Sequence, residues 1–461
     1  MKEDKKLSKS EIKGLKHHSR RLSIKEGIFW SARVSFGDHF IAPFAIAINT
    51  SSPIVALINT LWNLSTATQI FGAKLSDNFS RKKIISNTTL INSLGFLLLA
   101  VIGFLYLKNI MVEYLPIFLF VDLFILLSAA GIGHPAWFSL IGEIVDPKYR
   151  GRWFAKRTTI LTFTTIVLTI AAAFILEYFK KTQNEILGFV IFFLIAFIAR
   201  FSCVKLLRNH YEAPRKKIKE KRTRLIELIK EFKGTNLGKF TLFRGLLAFA
   251  VGITSPLVAI YLLRNLELSY VTYIFISLSG MIFSVIFLNL WGKIADKYGN
   301  YLVMILTTGL IPLTPLLWIL SKSTIYLFIV PGLIGGTAWY AFLLVSKNFI
   351  YDNTPKQKRA ITVSYVNLII GIGALLGGIT SAILIKFINT SWIEPIFLIF
   401  IIGTIARMIP VAIFIPKIKE AKHTQKFKGL KELEHVIIKE AKPTLIEDAN
   451  EIISIKNYLK E

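Results

Sequence analysis

The sequence predicts an all-α polytopic membrane protein, with twelve transmembrane helices in two pseudo-twofold-related six-helix bundles. Three observations predict it. Of 461 residues, 53% are hydrophobic and 36 are Phe, far too apolar for a water-soluble domain. The apolar residues fall in runs long enough to cross a bilayer, about 20 residues each. Short patterns of the first half also return, in order, in the second.

Met1 to Glu26 is polar and basic, with Lys13, Lys16, Arg20 and Arg21. It reads as a cytoplasmic arm resting partly on anionic lipid. The first bundle, residues 27–204, holds spans at Gly27–Ile48, Pro53–Ser76, Ile84–Leu107, Leu115–Phe138, Thr158–Phe179 and Ile186–Val204. A connector at residues 205–239 is dense in Lys and Arg. Within it Ile218, Leu225, Ile226, Ile229 and Phe232 approximate helical spacing, so an amphipathic cytoplasmic helix is expected. The second bundle, residues 240–415, holds spans at Phe240–Leu263, Tyr270–Trp291, Tyr301–Leu320, Thr324–Val345, Ile361–Phe387 and Ile393–Ile415. Residues 416–461 form a charged cytoplasmic tail.

The formal net charge is +28. Such a charge fits nucleic acid, but its distribution fits a membrane better. Loops rich in Lys and Arg alternate with loops that have few. Arg81–Lys83, Lys148–Arg157, Lys293 with Lys297, and Lys347–Arg359 lie on one side. The positive-inside bias makes that side cytoplasmic and puts both termini there, in a cell membrane, with lipid as partner and no nucleic acid. Cys203 is the single cysteine, which rules out an internal disulfide and a cysteine-built metal site. No signal peptide, nucleotide loop, nucleophile elbow or zinc motif is present, so neither an enzyme nor a cofactor is expected.

The repeat is specific. Ile198-Ala-Arg200 near the end of the sixth span returns as Ile405-Ala-Arg407 near the end of the twelfth. Pro147 with Arg150 and Gly151 returns as Pro355 with Arg359 and Ala360. Ala136-Trp137 returns as Ala338-Trp339, and Arg33 has a counterpart in Arg244. Duplication of this kind implies two bundles about an axis along the membrane normal, with a cavity between them.

A charged hairpin, Ala73-Lys-Leu-Ser-Asp-Asn-Phe-Ser-Arg-Lys-Lys83, separates the second and third spans, and Gly292-Lys-Ile-Ala-Asp-Lys-Tyr-Gly-Asn300 takes the same place in the second half. Both resemble the signature loop of the major facilitator superfamily. The first copy keeps Asp77, Arg81 and Lys82 but has Ala73 and Ser80 where the family has Gly. The second keeps Gly292, Asp296 and Gly299 but has Asn300 where a basic residue is usual. Pro147-Lys-Tyr-Arg-Gly-Arg152 is similar to the family's loop after the fourth helix. The resemblance spans Gly27 to Ile415 and implies a secondary transporter that works as a monomer by alternating access. It further implies that Asp77 caps the eleventh helix and pairs with Arg150 or Arg152, and that Asp296 acts likewise on the fifth span. These links would hold the cytoplasmic side shut. The alternative is that the hairpin charges only set topology.

Charged groups inside a bilayer cost about 2.5–3.5 kcal/mol on insertion scales, so each one needs a reason. The family's first, fourth, seventh and tenth helices line its cavity. Here the first span holds Arg33, Asp38 and His39, and the fourth holds Asp122 and His134. Asp38 and Asp122 are the candidate proton carriers, because burial lets a carboxylate load and release a proton. A structural pair with an arginine of the bundle is the competing role for Asp38. His39 and His134 could titrate, although a packing role is favoured for both. Arg33 and Arg244 could hold an anionic solute between the bundles. Snorkelling to the interface or a structural pairing is the favoured alternative, and snorkelling is expected more strongly for Arg200 and Arg407.

Gly131-Ile-Gly133 resembles part of the drug/proton antiporter motif, with Leu127 at the place of its arginine. The functional expectation is a carrier of a small solute coupled to H+. Drug/proton efflux, or a sensor or scaffold on the same fold, are the alternatives.

Overall fold

The computed structural model describes residues 8–146, 150–213, 232, 234–355 and 358–420. Most of the expected connector helix, at 214–231, and the tail from 421 lie outside the described residues. Every regular element among the described residues is helical.

Among the described residues, ten helices are long and apolar enough to cross a membrane. The first two predicted spans are missing from that set, and both are broken. The first begins as α1, Lys9–Phe36, which stops at Gly37. A 3₁₀ turn, Asp38–Phe40, then leads into α2, Ile41–Ala47. The second is split into α3, Ser52–Thr60, and α4, Leu64–Asn78. At that break Asn63 Nδ2 donates to the Thr60 carbonyl at 3.2 Å and Ser65 Oγ to the Trp62 carbonyl at 3.0 Å. Short polar side chains here compete for backbone groups that a continuous helix would use.

The expected boundary at Gly27 is not an element boundary, since α1 runs back to Lys9. Ser8 and Glu11 close a capping box at its start. Its early turns are fastened down: Ser19 Oγ accepts from the Tyr211 backbone N–H at 2.7 Å, and Arg20 donates to the Ile144 carbonyl at 3.2 Å. Counting apolar residues missed this extension, because its stability comes from polar anchors.

The later helices are α5 (Arg81–Leu107), α6 (Leu115–Ile144), α7 (Arg150–Lys181), α8 (Glu185–Arg208), α9 (Asn236–Thr254), α10 (Tyr270–Tyr298), α11 (Asn300–Leu310), α12 (Thr314–Ile319), α13 (Thr324–Val330), α14 (Thr337–Asp352), α15 (Arg359–Phe387) and α16 (Pro395–Phe414).

The chain forms two compact units that cut across the sequence halves. The first joins Met1–Arg222 with Ser255–Ile274 and Asn367–Asn389; the second holds Thr223–Thr254, Phe275–Val366 and Thr390–Glu461. In the first unit α5 packs on α6 and α8, α4 on α6, and α1 on α7 and α8. Small residues permit the closest approaches. A Cβ on Gly72 would collide with the Ile132 carbonyl, and one on Gly131 with the Ser65 carbonyl. Phe40, Phe44, Phe189, Phe192 and Phe193 fill the space among the 3₁₀ turn, α2 and α8, with Phe44 and Phe193 edge to face at 5.0 Å. The Asn367–Asn389 part of α15 lies on α3 and α4: Asn367 Nδ2 donates to Gln69 Oε1 at 3.3 Å, and Gly378 meets Thr60.

In the second unit α9 packs on α16, with Gly403 against Thr254, and α11 packs on α14. Gly280 of α10 and Gly336 face each other backbone to backbone.

Candidate functional site

The first unit buries a chain of charges on α1, α7 and α8. Glu26, 3% exposed, lies two helical turns before Arg33 and therefore on nearly the same face of α1. Its carboxylate accepts from Arg157 Nη2 at 3.3 Å and faces Arg200 Nη1 at 3.9 Å. Arg157 also donates to Ser23 Oγ at 3.1 Å and lies over the Trp137 ring at 4.7 Å. Arg200 donates through Nε to Asn92 Oδ1 at 3.0 Å, and Asn92 Nδ2 donates to the Leu126 carbonyl. One carboxylate thus fastens three helices, and Asn92 extends the link to α5. Arg200 therefore faces inward to these partners, contrary to the snorkelling expected of it.

Arg33, 6% exposed, pairs with Asp38 at 2.7 Å. The break at Gly37 makes this possible, because the 3₁₀ turn brings Asp38 back toward the preceding helical turn. The guanidinium also lies over Trp30 and Phe96, at 5.7 and 5.5 Å. His39 Nδ1 is 3.0 Å from Thr169 Oγ1. His134 is exposed and packs edge to face on Phe138 at 4.8 Å.

Asp122 on α6 differs from the other acids. It is 5% exposed, and its Oδ2 is buried with no hydrogen-bond partner. An orphaned buried oxygen costs about 1–3 kcal/mol, more when charged. Among the described residues no ion pair reaches it.

In the second unit Arg244 is half-buried over the Phe342 ring at 4.8 Å, with no ion pair among the described residues. Arg407, 4% exposed, does not snorkel: it donates to Thr314 Oγ1 at 2.6 Å, to the Ile311 carbonyl at 3.4 Å, and to Thr254 Oγ1.

The hairpins carry a second constellation. Arg81 is buried and pairs with Glu143 and, at 3.1 Å, with Glu212. Glu212 also accepts from Ser80 Oγ and from the Arg81 backbone N–H at 2.8 Å, which caps the start of α5. Lys82 Nζ donates to the Arg208 carbonyl at 3.3 Å. In the second hairpin Asn300, buried, donates to Asp352 Oδ2 at 2.8 Å and accepts from Asn348, while Glu420 takes the Tyr301 backbone N–H at 2.8 Å. Glu143 and Asp352 act alike at the two hairpins, as do Glu212 and Glu420. Gly299 has φ +99, a backbone that favours glycine. A Cβ on Gly292 would make only an ordinary contact with the Leu344 side chain, and Asp296 is exposed.

Asp77 sits in the last turn of α4, and Arg150 and Arg152 in the first turn of α7. Their side chains, and so their expected pairings, lie outside the described residues. Sequence reasoning passed over Glu26, Glu143 and Glu212 as site residues. The signal available for Glu26 was its spacing from Arg33.

Among the described residues, ten helices of spanning length and composition with charges buried among them are the architecture of an integral membrane protein. The chain belongs to the Major Facilitator Superfamily, which matches it over residues 34–288 and 240–454. No curated protein matches it in sequence. Its fold is similar to the nucleoside transporter NupG (15% identity, 88% of this chain and 99% of that one, TM-score 0.62). It is also similar to a bacterial homologue of the iron transporter ferroportin in an inward-facing state (17%, 89% and 99%, 0.64). The POT family transporter PepTSo is a third neighbour (12%, 86% and 96%, 0.65).

Glu212 lies outside the spans. Burial raises its pKa, but hydrogen bonds from Ser80, Arg81 and Lys82 outweigh that and hold it below the ordinary 4.5. A depressed folded-state pKa stabilises above the unfolded value and is lost as pH falls through the folded one. Glu212→Gln is therefore expected to melt below the wild type at pH 7, with the gap closing as pH drops below 4.5. Melting curves of both proteins in detergent across that range check it; a gap independent of pH contradicts it.

Proposed function

We propose that this protein is a secondary carrier of the cell membrane that moves a small solute by alternating access and couples it to protons. One observation carries the coupling: Asp122 is a buried carboxylate with an unanswered oxygen, in a unit whose other deeply buried acids, Glu26 and Asp38, meet arginines. A carboxylate held by a cation stays charged, whereas one in an apolar setting gains and sheds a proton with its surroundings. Asp122 is thus assigned the proton. Asp38 is assigned a second role, in which a change of its bond to Arg33 reports occupancy of the site. His39 and His134 are assigned to packing.

On the solute side, Arg244 over Phe342 is the cation left to meet an anionic or aromatic group, since Arg33 already faces Asp38. The basic loops support a cytoplasmic side for both termini. The monomer is taken as the working unit. Asp77, with Arg150 or Arg152, is assigned the cytoplasmic gate, and Asp296 the corresponding weaker link. Arg81 and Lys82, with Glu212 beneath them, hold that hairpin in place.

The solute is sought by thermal stabilisation, because a ligand that binds the native site raises the melting temperature by mass action. Nucleosides, short peptides and divalent cations form the first panel, at two pH values. In proteoliposomes with an imposed pH gradient, the wild type should accumulate the solute so found. Asp122→Asn should lose gradient-driven accumulation by about ten-fold or more, equivalent to ~1.4 kcal/mol, while still exchanging solute across the membrane. Undiminished accumulation by this variant rules out Asp122 as the proton site. Asp77→Asn should shift the protein toward the inward-facing state, read as faster labelling of cysteines introduced on the cytoplasmic side; an unchanged rate removes Asp77 from the gate.

A further inference from the structure

The early turns of α1 are held in the first unit by a few polar contacts, and a buried titratable group stands beside them. His210 follows the last turn of α8 and is 1% exposed. Its Nδ1 lies 3.0 Å from the Leu206 carbonyl. A carbonyl only accepts, so Nδ1 carries the ring proton and Nε2 is left with a bare lone pair. That Nε2 is buried with no hydrogen-bond partner. The next residue fastens α1 directly, since the Tyr211 backbone N–H donates to Ser19 Oγ at 2.7 Å. Ser19 is wholly buried, and Leu22 and Ser23 follow it into the interior. Arg20, donating to the Ile144 carbonyl at 3.2 Å, is the other tie of this stretch.

The charges around the ring are cationic. His18 comes from α1, Lys82 from α5 and Arg157 from α7, and each opposes a positive charge on the imidazole. Lys82 Nζ donates to the Arg208 carbonyl at 3.3 Å, while Arg157 is committed to Glu26 at 3.3 Å. The acids of the neighbourhood are engaged elsewhere. Glu143 of α6 pairs with Arg81, and Glu212 accepts from Ser80 and Arg81 at the start of α5. Among the described residues no carboxylate pairs with His210. His210 lies beyond the span that ends at Arg208. Burial first, and the three cations after it, outweigh the Leu206 bond and hold its pKa below the ordinary 6.5. Protonation would put a hydrogen on Nε2 with no acceptor to meet it, and a further positive charge in a buried cationic setting.

We propose that His210 is a pH-sensitive catch: neutral, it lets residues 9–21 of α1 dock on the end of α8, and protonated, it releases them. Docking is fully favoured above the ordinary imidazole pKa of 6.5, where the ring is neutral in both states. It weakens as pH falls below 6.5, because the released ring takes up a proton that the docked ring resists. Glu212 does not supply this response, since its own pKa lies below 4.5. His210 acts through the Tyr211 backbone on Ser19 and is a positioning residue. Only the side of the membrane on which the catch works rests on the topology proposed above; the catch itself needs neither solute nor transport.

Paired spin labels test it in the full-length protein in lipid nanodiscs. One pair, at Lys13 and Lys205, reports docking of α1 on α8; a second, at Lys108 and Lys181, reports the other end of the same unit. All four sites are exposed, and the native Cys203 is buried. Between about pH 7 and pH 5 the long-distance population of the first pair is expected to rise by up to about ten-fold per pH unit, the most that uptake of one proton can give. The second pair should stay unchanged. His210→Asn, which can still donate to the Leu206 carbonyl but takes up no proton, should remain docked throughout. His17→Gln with His18→Gln should still release, since neither of those rings is the one that is buried. No release in the wild type, release that persists in His210→Asn, or loss of release in the His17 and His18 variant overturns the catch. So does a second pair that changes in step with the first, which would be general loosening of the bundle. Should His210→Asn not fold, the imidazole nitrogen resonances of His210 in the wild type decide: they should report protonation in step with release, and a ring that stays neutral while residues 9–21 leave overturns the proposal.

Discussion

A guanidinium enclosed by helices in a lipid bilayer has little water to solvate it, so its charge must be met by the protein. Three arginines of the first unit face this requirement, and two acids meet it: Glu26 for Arg157 and Arg200, and Asp38 for Arg33. Glu26 is the more consequential acid because its two partners come from different helices. Removing it leaves two buried cations at once, a loss of about 3–5 kcal/mol for each broken pair. The position of α1 on α7 and α8 follows from that constraint. So does the helical course of residues 9–26, which carries Glu26 into the bundle. Asp122 is conspicuous against this pattern of matched charge.

The two halves satisfy related needs with different chemistry. Arg200 and Arg407 occupy equivalent places in the repeat. Arg200 has Glu26 and Asn92; Arg407 has two threonine hydroxyls and a carbonyl. At the hairpins, Arg81 lies between Glu143 and Glu212, whereas Asn300 meets Asp352 and Glu420 caps the next residue. Each hairpin is met by two acids, while the central cation of the first is an amide in the second. Among the contacts described, Arg81 and Arg200 meet carboxylates, whereas Arg407 is held by hydroxyls and a carbonyl and Asn300 stands where the first hairpin has a cation.

The membrane class and ten of the spans were legible in the sequence, because an apolar run of spanning length has few other stable fates. The duplication was legible in short matches such as Ile-Ala-Arg. The breaks at Asp38–Phe40 and Leu61–Asn63 were not, since they depend on local hydrogen bonds from Asn63 and Ser65 and on the backbone at Gly37, none of which alters hydropathy. Asp38 and Asp122 could be picked out as costly charges, but nothing in the sequence tells that one has an arginine partner and the other an orphaned oxygen. Glu26 was hidden by assigning it to the polar arm. Arg200 and Arg407 were misjudged because depth estimated from the nearer end of a run ignores which way a side chain faces.

The claim that matched charge holds α1 in the bundle is tested most directly by a double-mutant cycle on Glu26 and Arg157, read as melting temperature in detergent. Glu26→Gln and Arg157→Met should each be strongly destabilising, since each leaves a buried partner unanswered. The double variant should lose clearly less than the sum of the two. Losses that simply add would show that the two residues act independently and would contradict the account.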